Sequence, residues 1–344
     1  MFYYILYSLR YQAGSSVRVI SSHCQAYCNR CYTIGLKCQT DFSPQHVGIL
    51  VQSPQEATMF QIGDIDIHLV SDGVVMVDGG GAFGLVPRIL WSRYLMYDEA
   101  NRVPMILTCL LVRAADKTIV VDTGLGDKLP PKMINQWGLT HPNGTLIEGL
   151  ARLGIKPDDV DIVINTHLHG DHCAGNTTFT PAGDICPVFP RANYIVQRRE
   201  YEDAMHPNER TQATYFPVNY EPLFRNGQLT LLDGDQEIVP GVSVVVTPGH
   251  TPGHQSVLFQ SNGQQALFVA DMASYAIQFE RLGWMSAYDV EPLVTLETKR
   301  HWQQWALDTN GLLIFQHDTQ IGAAHLTEDE NGKRTLEPVE VSLA

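Results

Sequence analysis

Three histidines and an aspartate lie within six positions of the stretch THLHGDHCAGN, residues 166–176. They are His167, His169, Asp171 and His172. Imidazole and carboxylate groups without a thiolate suit zinc, and also manganese, iron or cobalt, better than calcium or magnesium. The i, i+2 spacing lets His167 and His169 reach one ion, while Asp171 and His172 point towards a neighbouring position. The stretch therefore predicts metal binding.

Predicted strands place further ligand-type side chains at their ends. The buried strand DDVDIVINT leads into the histidine cluster, and the strand VSVVV leads into TPGHTPGH with His250 and His254. Asp271 closes the strand ALFVA, and His317 closes LLIFQ. Because a strand fixes the anchor of the loop that follows it, these side chains are candidates to complete a site with more than one ion.

Several of these residues have rivals or other interpretations. His254 competes with His250, and His325 competes with His317; we favour His250 and His317, the latter because it directly ends an apolar strand. Asp271 could instead only cap a strand end. Cys173 is either an additional soft ligand or, as we favour, a buried bystander.

The chain from Met59 onwards alternates predicted strands and helices without an obvious linker or repeat. NGTLIEGLARLGI has helical spacing with a predicted start at Asn143, and RREYEDAM and EPLVTLETKRHWQQWAL are further helices. This alternation predicts an α/β fold in one domain over residues 59–344.

The first 58 residues have a different composition and no sustained periodicity. Cys24, Cys28, Cys31 and Cys38 crowd this segment, and the first three have the C-x3-C-x2-C spacing that holds an iron–sulfur cluster in radical S-adenosylmethionine enzymes. A zinc knuckle is a second alternative. We favour a disordered extension, or sequence upstream of a true start at Met59.

The overall composition restricts partners and location. The net charge is −14, which argues against nucleic acid, and the sequence has no apolar run long enough to cross a membrane. Cys109, Cys173 and Cys186 are scattered and suggest no disulfide framework, which is typical of a reducing compartment. We therefore predict a cytoplasmic protein with a small-molecule substrate.

The order of the motifs resembles the metallo-β-lactamase superfamily. H-x-H-x-D-H is followed by T-P-G-H-T-P-G-H, a strand-terminal Asp and a strand-terminal His, and V-D-T-G stands upstream at residues 121–124. The resemblance implies an α/β fold of the αββα four-layer sandwich type. It also implies two divalent ions, with zinc favoured, and the following roles: His167, His169 and His250 for the first ion, Asp171, His172 and His317 for the second, Asp271 bridging both, and Asp122 orienting a ligand imidazole by a hydrogen bond.

The resemblance implies a hydrolase in which a hydroxide between the two ions attacks a carbonyl carbon. Asp171 is the candidate to pass a proton to the leaving group. HLHGDHCAGN, TPGHTPGHQS and FQHD are similar to N-acyl-homoserine lactonases and methyl-parathion-hydrolase-like enzymes. Lactonases carry a tyrosine after the bridging aspartate, which implies that Tyr275, one residue later than expected, contacts the substrate carbonyl.

Ester or lactone hydrolysis is therefore the predicted function. The alternatives are a phosphotriesterase, aryl-ester or thioester hydrolase on the same site, and a metal-binding sensor protein without turnover. Two aromatic-rich insertions, residues 82–105 and 201–224, are predicted either to wall the substrate pocket or to form the contact of a homodimer.

Overall fold

The computed structural model of the protein describes residues 59–344. These residues form sixteen strands, numbered in chain order: β1 Met59–Ile62, β2 Ile65–Asp78, β3 Arg102–Ala114, β4 Lys117–Val121, β5 Ile162–Ile164, β6 Thr177–Phe179, β7 Ile185–Pro187, β8 Asn193–Gln197, β9 Leu229–Leu232, β10 Gln236–Val239, β11 Val242–Val246, β12 Gln255–Ser261, β13 Gln264–Phe268, β14 Leu312–Ile314, β15 Ala323–Glu328 and β16 Arg334–Val339. They also form nine α-helices: α1 Gly79–Phe83, α2 Arg88–Trp91, α3 Pro131–Trp137, α4 Leu146–Arg152, α5 Gly170–Cys173, α6 Arg198–Met205, α7 Glu221–Arg225, α8 Ala276–Glu280 and α9 Pro292–Thr309.

Two seven-stranded sheets form the centre of the fold. The first has the order β1-β2-β3-β4-β5-β8-β9, and the second contains β10 to β16 in chain order. In the first sheet β4, β5, β8 and β9 are parallel, and in the second only β13 and β14 are. The remaining pairs within these two sheets are antiparallel.

The main hydrophobic core lies between the two sheets. Alternate residues of β2 point inwards, because successive side chains of a strand face opposite sides. Ile67 of β2 and Val121 of β4 share one cluster with Val257 of β12 and Phe268 of β13. Burying each such side chain contributes about 1.5–3 kcal/mol to the free energy of unfolding.

Helices cover the outer face of each sheet. Leu150 of α4 and Tyr201 of α6 share a cluster with Val163 of β5, and Trp302 of α9 shares another with Leu313 of β14. The layers therefore run helix, sheet, sheet, helix. This order confirms the predicted αββα four-layer sandwich.

The helix predicted from Asn143 begins later, and that prediction of its start was wrong. Thr145 is the N-cap residue, and its hydroxyl accepts a hydrogen bond from the Glu148 N–H at 3.3 Å. The Glu148 carboxylate in turn accepts one from the Thr145 N–H at 2.9 Å. This capping box satisfies two donors that the helix itself leaves free, so it fixes the start.

The first predicted insertion is shifted relative to residues 82–105. Its last four residues belong to β3, which begins at Arg102, so the segment between β2 and β3 covers residues 79–101. Asp78 caps α1 by accepting hydrogen bonds from the N–H groups of Gly80 and Gly81, at 2.8 and 3.0 Å. The cap turns the chain out of β2 and into the insertion.

Strand ends from both sheets meet at one edge of the sandwich. β4 and β5 end in parallel register, as do β13 and β14. The Gln255 N–H donates to the Thr166 carbonyl at 2.9 Å, and the Thr108 N–H donates to the Gln316 carbonyl at 3.2 Å. These bonds join the two sheets where the predicted ligands follow their strands.

Among residues 59–344, no helix combines the length and the apolar character that crossing a bilayer requires. The features predicted at Cys24, Cys28, Cys31 and Cys38 lie outside the described residues, as does the extension over residues 1–58. The domain boundary near residue 58 and the start at Met59 stay predictions.

Candidate metal centre

The structure brings all seven predicted ligands together at the joined edge of the two sheets. Three groups have ligand atoms that all lie within 4.8 Å of one another: His167, His169 and His250; His167, His172 and Asp271; and Asp171, His172 and His317. The segments that follow β5, β11, β13 and β14 supply them, and Asp171 and His172 lie in α5. Motifs that are far apart in the sequence thus form one cluster in the fold.

The first group consists of three buried imidazole rings. His250 Nε2 lies 3.1 Å from His169 Nδ1. His167 Nε2 is buried and has no hydrogen-bond partner among the described residues, which is costly for a polar atom unless something else satisfies it. A partnerless nitrogen beside two further ring nitrogens fits a bound zinc-type ion, which takes histidine nitrogens as ligands.

The second group places two imidazoles and a carboxylate at similar spacing. His317 Nε2 lies 3.2 Å from His172 Nε2. Asp171 Oδ2 lies 3.6 Å from His172 Nε2 and 3.8 Å from His317 Nε2. Asp171 is the most accessible member of the centre, since its side chain is 23% exposed.

Asp271 lies between the two groups. Its Oδ2 is 3.1 Å from His250 Nε2 and 3.4 Å from His172 Nε2, while its Oδ1 is 3.2 Å from His317 Nε2. One carboxylate therefore reaches histidines of both groups. This is the geometry expected of a residue that bridges two ions.

The backbone before Asp271 is held in a rare conformation. Ala270 has a φ of 49°, in the left-handed region that side chains other than glycine seldom adopt. The Asp271 N–H donates to His254 Nε2 at 3.2 Å, and the Ser274 hydroxyl donates to Asp271 Oδ1 at 3.0 Å. Strain of this kind persists where the surroundings over-determine it, and it directs the carboxylate to the cluster.

The Asp122 carboxylate is buried and receives four hydrogen bonds. The Thr166 N–H donates to Oδ1 at 2.8 Å, and the Thr166 hydroxyl and the Gln316 amide donate to Oδ2 at 2.7 and 3.0 Å. His172 Nδ1 lies 3.0 Å from the same Oδ2, so the ring donates there and turns Nε2 to the cluster.

Replacing Asp122 with asparagine is expected to weaken zinc binding by about 10- to 100-fold, the usual effect of losing the acceptor behind a ligand imidazole. The amide can still accept from the Thr166 N–H, so the fold should survive. Chelator competition measures the affinity. Asp161→Asn is the matched control. Asp161 contacts Lys117 and Thr118 of β4, the strand that Asp122 follows, but it does not contact the cluster. Equal affinities in the two variants would contradict the orienting role.

Two further groups orient ligand imidazoles, and the sequence patterns did not indicate them. His250 Nδ1 lies 3.0 Å from Asp289 Oδ1, and both side chains are buried. His317 Nδ1 lies 2.7 Å from the Ile106 carbonyl oxygen. Asp289 stands in a loop far along the chain, and a backbone carbonyl has no sequence signature.

Burial favours the metal-binding forms of His167 and His169, and neighbouring histidines favour that of Asp271. Burial, followed by the neighbouring His172, lowers the pKa of His167 well below its usual value. Burial and His250 do the same to the pKa of His169. Burial raises the pKa of Asp271, but His317 and His250 outweigh it, so that pKa lies well below its usual value. Neutral imidazoles and an ionised carboxylate are the forms that coordinate metal. Burial also lowers the pKa of His172 and of His250, but neighbouring carboxylates outweigh it, so these two pKa values are raised.

The rival residues have other contacts. His254 Nδ1 lies 2.8 Å from the Thr247 hydroxyl, and its Nε2 accepts from the Asp271 N–H, so both ring nitrogens are engaged. His325 lies on β15 with Nδ1 3.0 Å from the Asn310 carbonyl oxygen. Within residues 59–344, neither belongs to a group that could hold an ion.

The Cys173 thiol is fully buried and donates to the Leu168 carbonyl at 3.3 Å. Burial raises its pKa well above the usual value, and among the described residues Cys173 belongs to none of the groups that could hold an ion. This agrees with the interpretation of Cys173 as a bystander.

Tyr275 is almost fully buried, and its hydroxyl donates to the Pro104 carbonyl at 3.2 Å. Its ring stacks on Phe83 with 5.4 Å between centroids. Contact with a substrate carbonyl would require the hydroxyl to exchange its present acceptor. The catalytic role of Tyr275 stays a prediction.

Both insertions border the centre. Tyr215 forms a β-bridge with His169, and the two rings lie 5.0 Å apart. The segment 79–101 contributes Phe83 to the aromatic cluster around Tyr275 and leaves large apolar side chains exposed, among them Leu85 and Ile89. The pocket wall and the homodimer contact stay predictions for these surfaces.

A family model described as the metallo-beta-lactamase superfamily matches residues 103–291, which is more than half of the chain. The chain belongs to the metallo-beta-lactamase superfamily. The match includes six of the seven clustered side chains, and only His317 lies beyond its end.

Curated relatives of this superfamily member carry lactonase names. The N-acyl homoserine lactonase AiiA of Bacillus thuringiensis subsp. kurstaki is 32% identical over 229 residues, covering 62% of this chain and 81% of that protein. The N-acyl homoserine lactonase AttM of Agrobacterium fabrum is 26% identical over 193 residues, covering 54% and 69%.

Solved structures extend the comparison. A probable metal-dependent hydrolase from Staphylococcus aureus superposes with a TM-score of 0.74 at 28% identity, covering 83% of this chain and all of the other. AidC, a dizinc quorum-quenching lactonase, has a TM-score of 0.67 at 19% identity, covering 83% and 98%, and supports the fold alone. The prediction of a hydrolase of this superfamily is confirmed.

Proposed function

We propose that this superfamily member is a hydrolase with two metal ions that opens esters, with N-acyl-homoserine-lactone-like substrates favoured. The observation that carries the proposal is the Asp271 carboxylate, whose two oxygens contact histidines of both groups. The lactonase names of the curated relatives support the substrate class.

The ligands divide between two ions, with zinc favoured. His167, His169 and His250 would hold one, Asp171, His172 and His317 the other, and Asp271 both. When bound, such a pair of ions lowers the pKa of a water molecule and polarises a carbonyl oxygen.

The protein's own groups orient and move protons around this centre. Asp122 accepts from Nδ1 of His172, and Asp289 accepts from Nδ1 of His250. Each ring therefore turns its Nε2 towards the centre. Asp171, the most exposed of the clustered side chains, is the proposed group that takes a proton and returns it to the departing alkoxide oxygen. Tyr275 is the proposed contact for the substrate carbonyl once its bond to Pro104 is exchanged.

The test is a comparison of kcat/KM for an N-acyl homoserine lactone, an aryl ester, a thioester and a paraoxon-like phosphotriester. We expect the lactone to lead by at least about tenfold, because specificity is a difference in transition-state binding. His169→Ala serves as the control and should lose the lactone turnover. Its loss would assign the turnover to this site. A leading phosphotriester would overturn the substrate class, and no turnover of any compound would favour a metal-binding sensor.

A further inference from the structure

The segment Ser286–Asp289 is held from two sides. On one side, the Gly81 carbonyl accepts hydrogen bonds from the Ala287 N–H at 2.9 Å and from the Ser286 hydroxyl at 3.1 Å. On the other side, Arg210 Nη2 donates to the carbonyls of Ala287 at 2.8 Å and Asp289 at 2.9 Å. Arg210 belongs to the insertion 201–224, so the two insertions meet at this segment.

The same segment fixes one ligand imidazole. Asp289 Oδ1 lies 3.0 Å from His250 Nδ1, and the Val290 N–H donates to the His250 carbonyl at 3.0 Å. With Nδ1 engaged, the ring presents Nε2 to His169 and Asp271. The position of His250 therefore depends on where the backbone at Asp289 is held.

The second group of ligands is oriented by other parts of the fold. His172 is fixed by Asp122 after β4, and His317 by the carbonyl of Ile106 in β3. The hydrogen bonds of Arg210 reach neither of these. A change at Arg210 should thus affect one ligand group and not the other.

We propose that Arg210 is a positioning residue for the ion held by His167, His169 and His250, acting through Asp289. The proposal rests on the two-ion centre of the proposed function. Arg210 forms charge-assisted hydrogen bonds to the carbonyls of Ala287 and Asp289, and such bonds are stronger than neutral ones. Ligand geometry must be held within a fraction of an ångström, so loosening this segment lowers the affinity for the ion that His250 would hold.

The sign of the effect separates this mechanism from simple electrostatics. Arg210 carries a positive charge, and removing a positive charge near a cation site by itself strengthens cation binding. Loss of the two hydrogen bonds from Arg210 acts in the opposite direction, because it loosens the segment that positions His250. Weaker zinc binding by a variant that lacks this charge therefore indicates altered ligand geometry.

The experiment measures zinc affinity by chelator competition in two backgrounds. His317→Ala isolates the group containing His250, and His169→Ala isolates the other group. Arg210→Gln is introduced into each. Arg210→Lys tests rescue, since a lysine ammonium can donate to both carbonyls. Arg225→Gln is the matched control, because Arg225 is exposed in the same region and its guanidinium pairs with Glu221.

We expect Arg210→Gln to lower the zinc affinity by about tenfold in the His317→Ala background. This is the low end of the range for residues that orient a metal ligand. Arg210→Lys should recover most of the affinity. Arg225→Gln should bind as its parent does, and the His169→Ala background should show no change. Thermal unfolding should show that the metal-free variants remain folded at the temperature of the titration.

Unchanged or tighter binding in Arg210→Gln, or equal weakening in both backgrounds, would overturn the inference while leaving the two-ion centre intact. A parent protein that binds no zinc would overturn the proposed function itself, and the positioning role with it.

Discussion

Replacing Asp271 with alanine lowers kcat/KM by at least about a thousandfold, because a bound ion stabilises the transition state by several kcal/mol and about 4 kcal/mol corresponds to that factor. The effect is large since the carboxylate contacts His250, His172 and His317 at 3.1 to 3.4 Å and belongs to both ligand groups. Its loss also removes the negative charge that balances the cluster. Steady-state kinetics on the lactone measures the change.

Ser274→Ala is the control for this variant. The Ser274 hydroxyl donates to Asp271 Oδ1 but is not itself a ligand candidate, so its loss should cost less than about tenfold, equivalent to one ordinary hydrogen bond. Circular dichroism should show both variants folded. A folded Asp271→Ala protein that retains activity within tenfold of the parent would remove Asp271 from the site.

Removing metal abolishes turnover and lowers the thermal midpoint of unfolding. The buried His167 Nε2 has no hydrogen-bond partner within residues 59–344, and the adjacent imidazoles lie around one carboxylate. An ion that binds only the folded state at about a thousand times its Kd adds about 4 kcal/mol to the free energy of unfolding. That corresponds to about 10 °C in Tm for a domain of this size. Adding zinc should restore both properties.

Calorimetry with and without chelator, followed by the lactone assay, measures this effect. His325→Ala is the matched control, since His325 is a histidine of β15 that binds the Asn310 carbonyl away from the cluster. It should respond to chelator as the parent does. A Tm that chelation leaves unchanged would show that no ion stabilises the folded state.

Much of the centre could be predicted because its ligands follow simple local rules. Four of them lie within six positions after a buried strand, so THLHGDHCAGN already contains most of the pattern. His250, Asp271 and His317 each stand at or just after a strand end, and parallel strands bring such ends to one edge. The four-layer arrangement came from the family resemblance and not from periodicity.

The orienting groups could not be predicted in the same way. Asp289 meets His250 across 39 positions of sequence, through a loop with no recognisable motif. Arg210 binds backbone carbonyls, which every residue has, so no pairing of side-chain types indicates the contact. Such contacts depend on loop geometry, which sequence periodicity does not encode.

The helix start was a different kind of error. The Thr145-x-x-Glu148 pattern of a capping box is present in the sequence, and it outweighs Asn143 because it satisfies two backbone donors together. Likewise the first insertion ends before Arg102, because the start of a long strand cannot be located from apolar content when apolar residues continue on both sides.

The most direct test of the central claim is the metal content of the active protein as purified. Elemental analysis of gel-filtered protein that hydrolyses the lactone should give about two divalent ions per chain, as a two-ion hydrolase requires. Fully active protein that contains no metal would contradict the account.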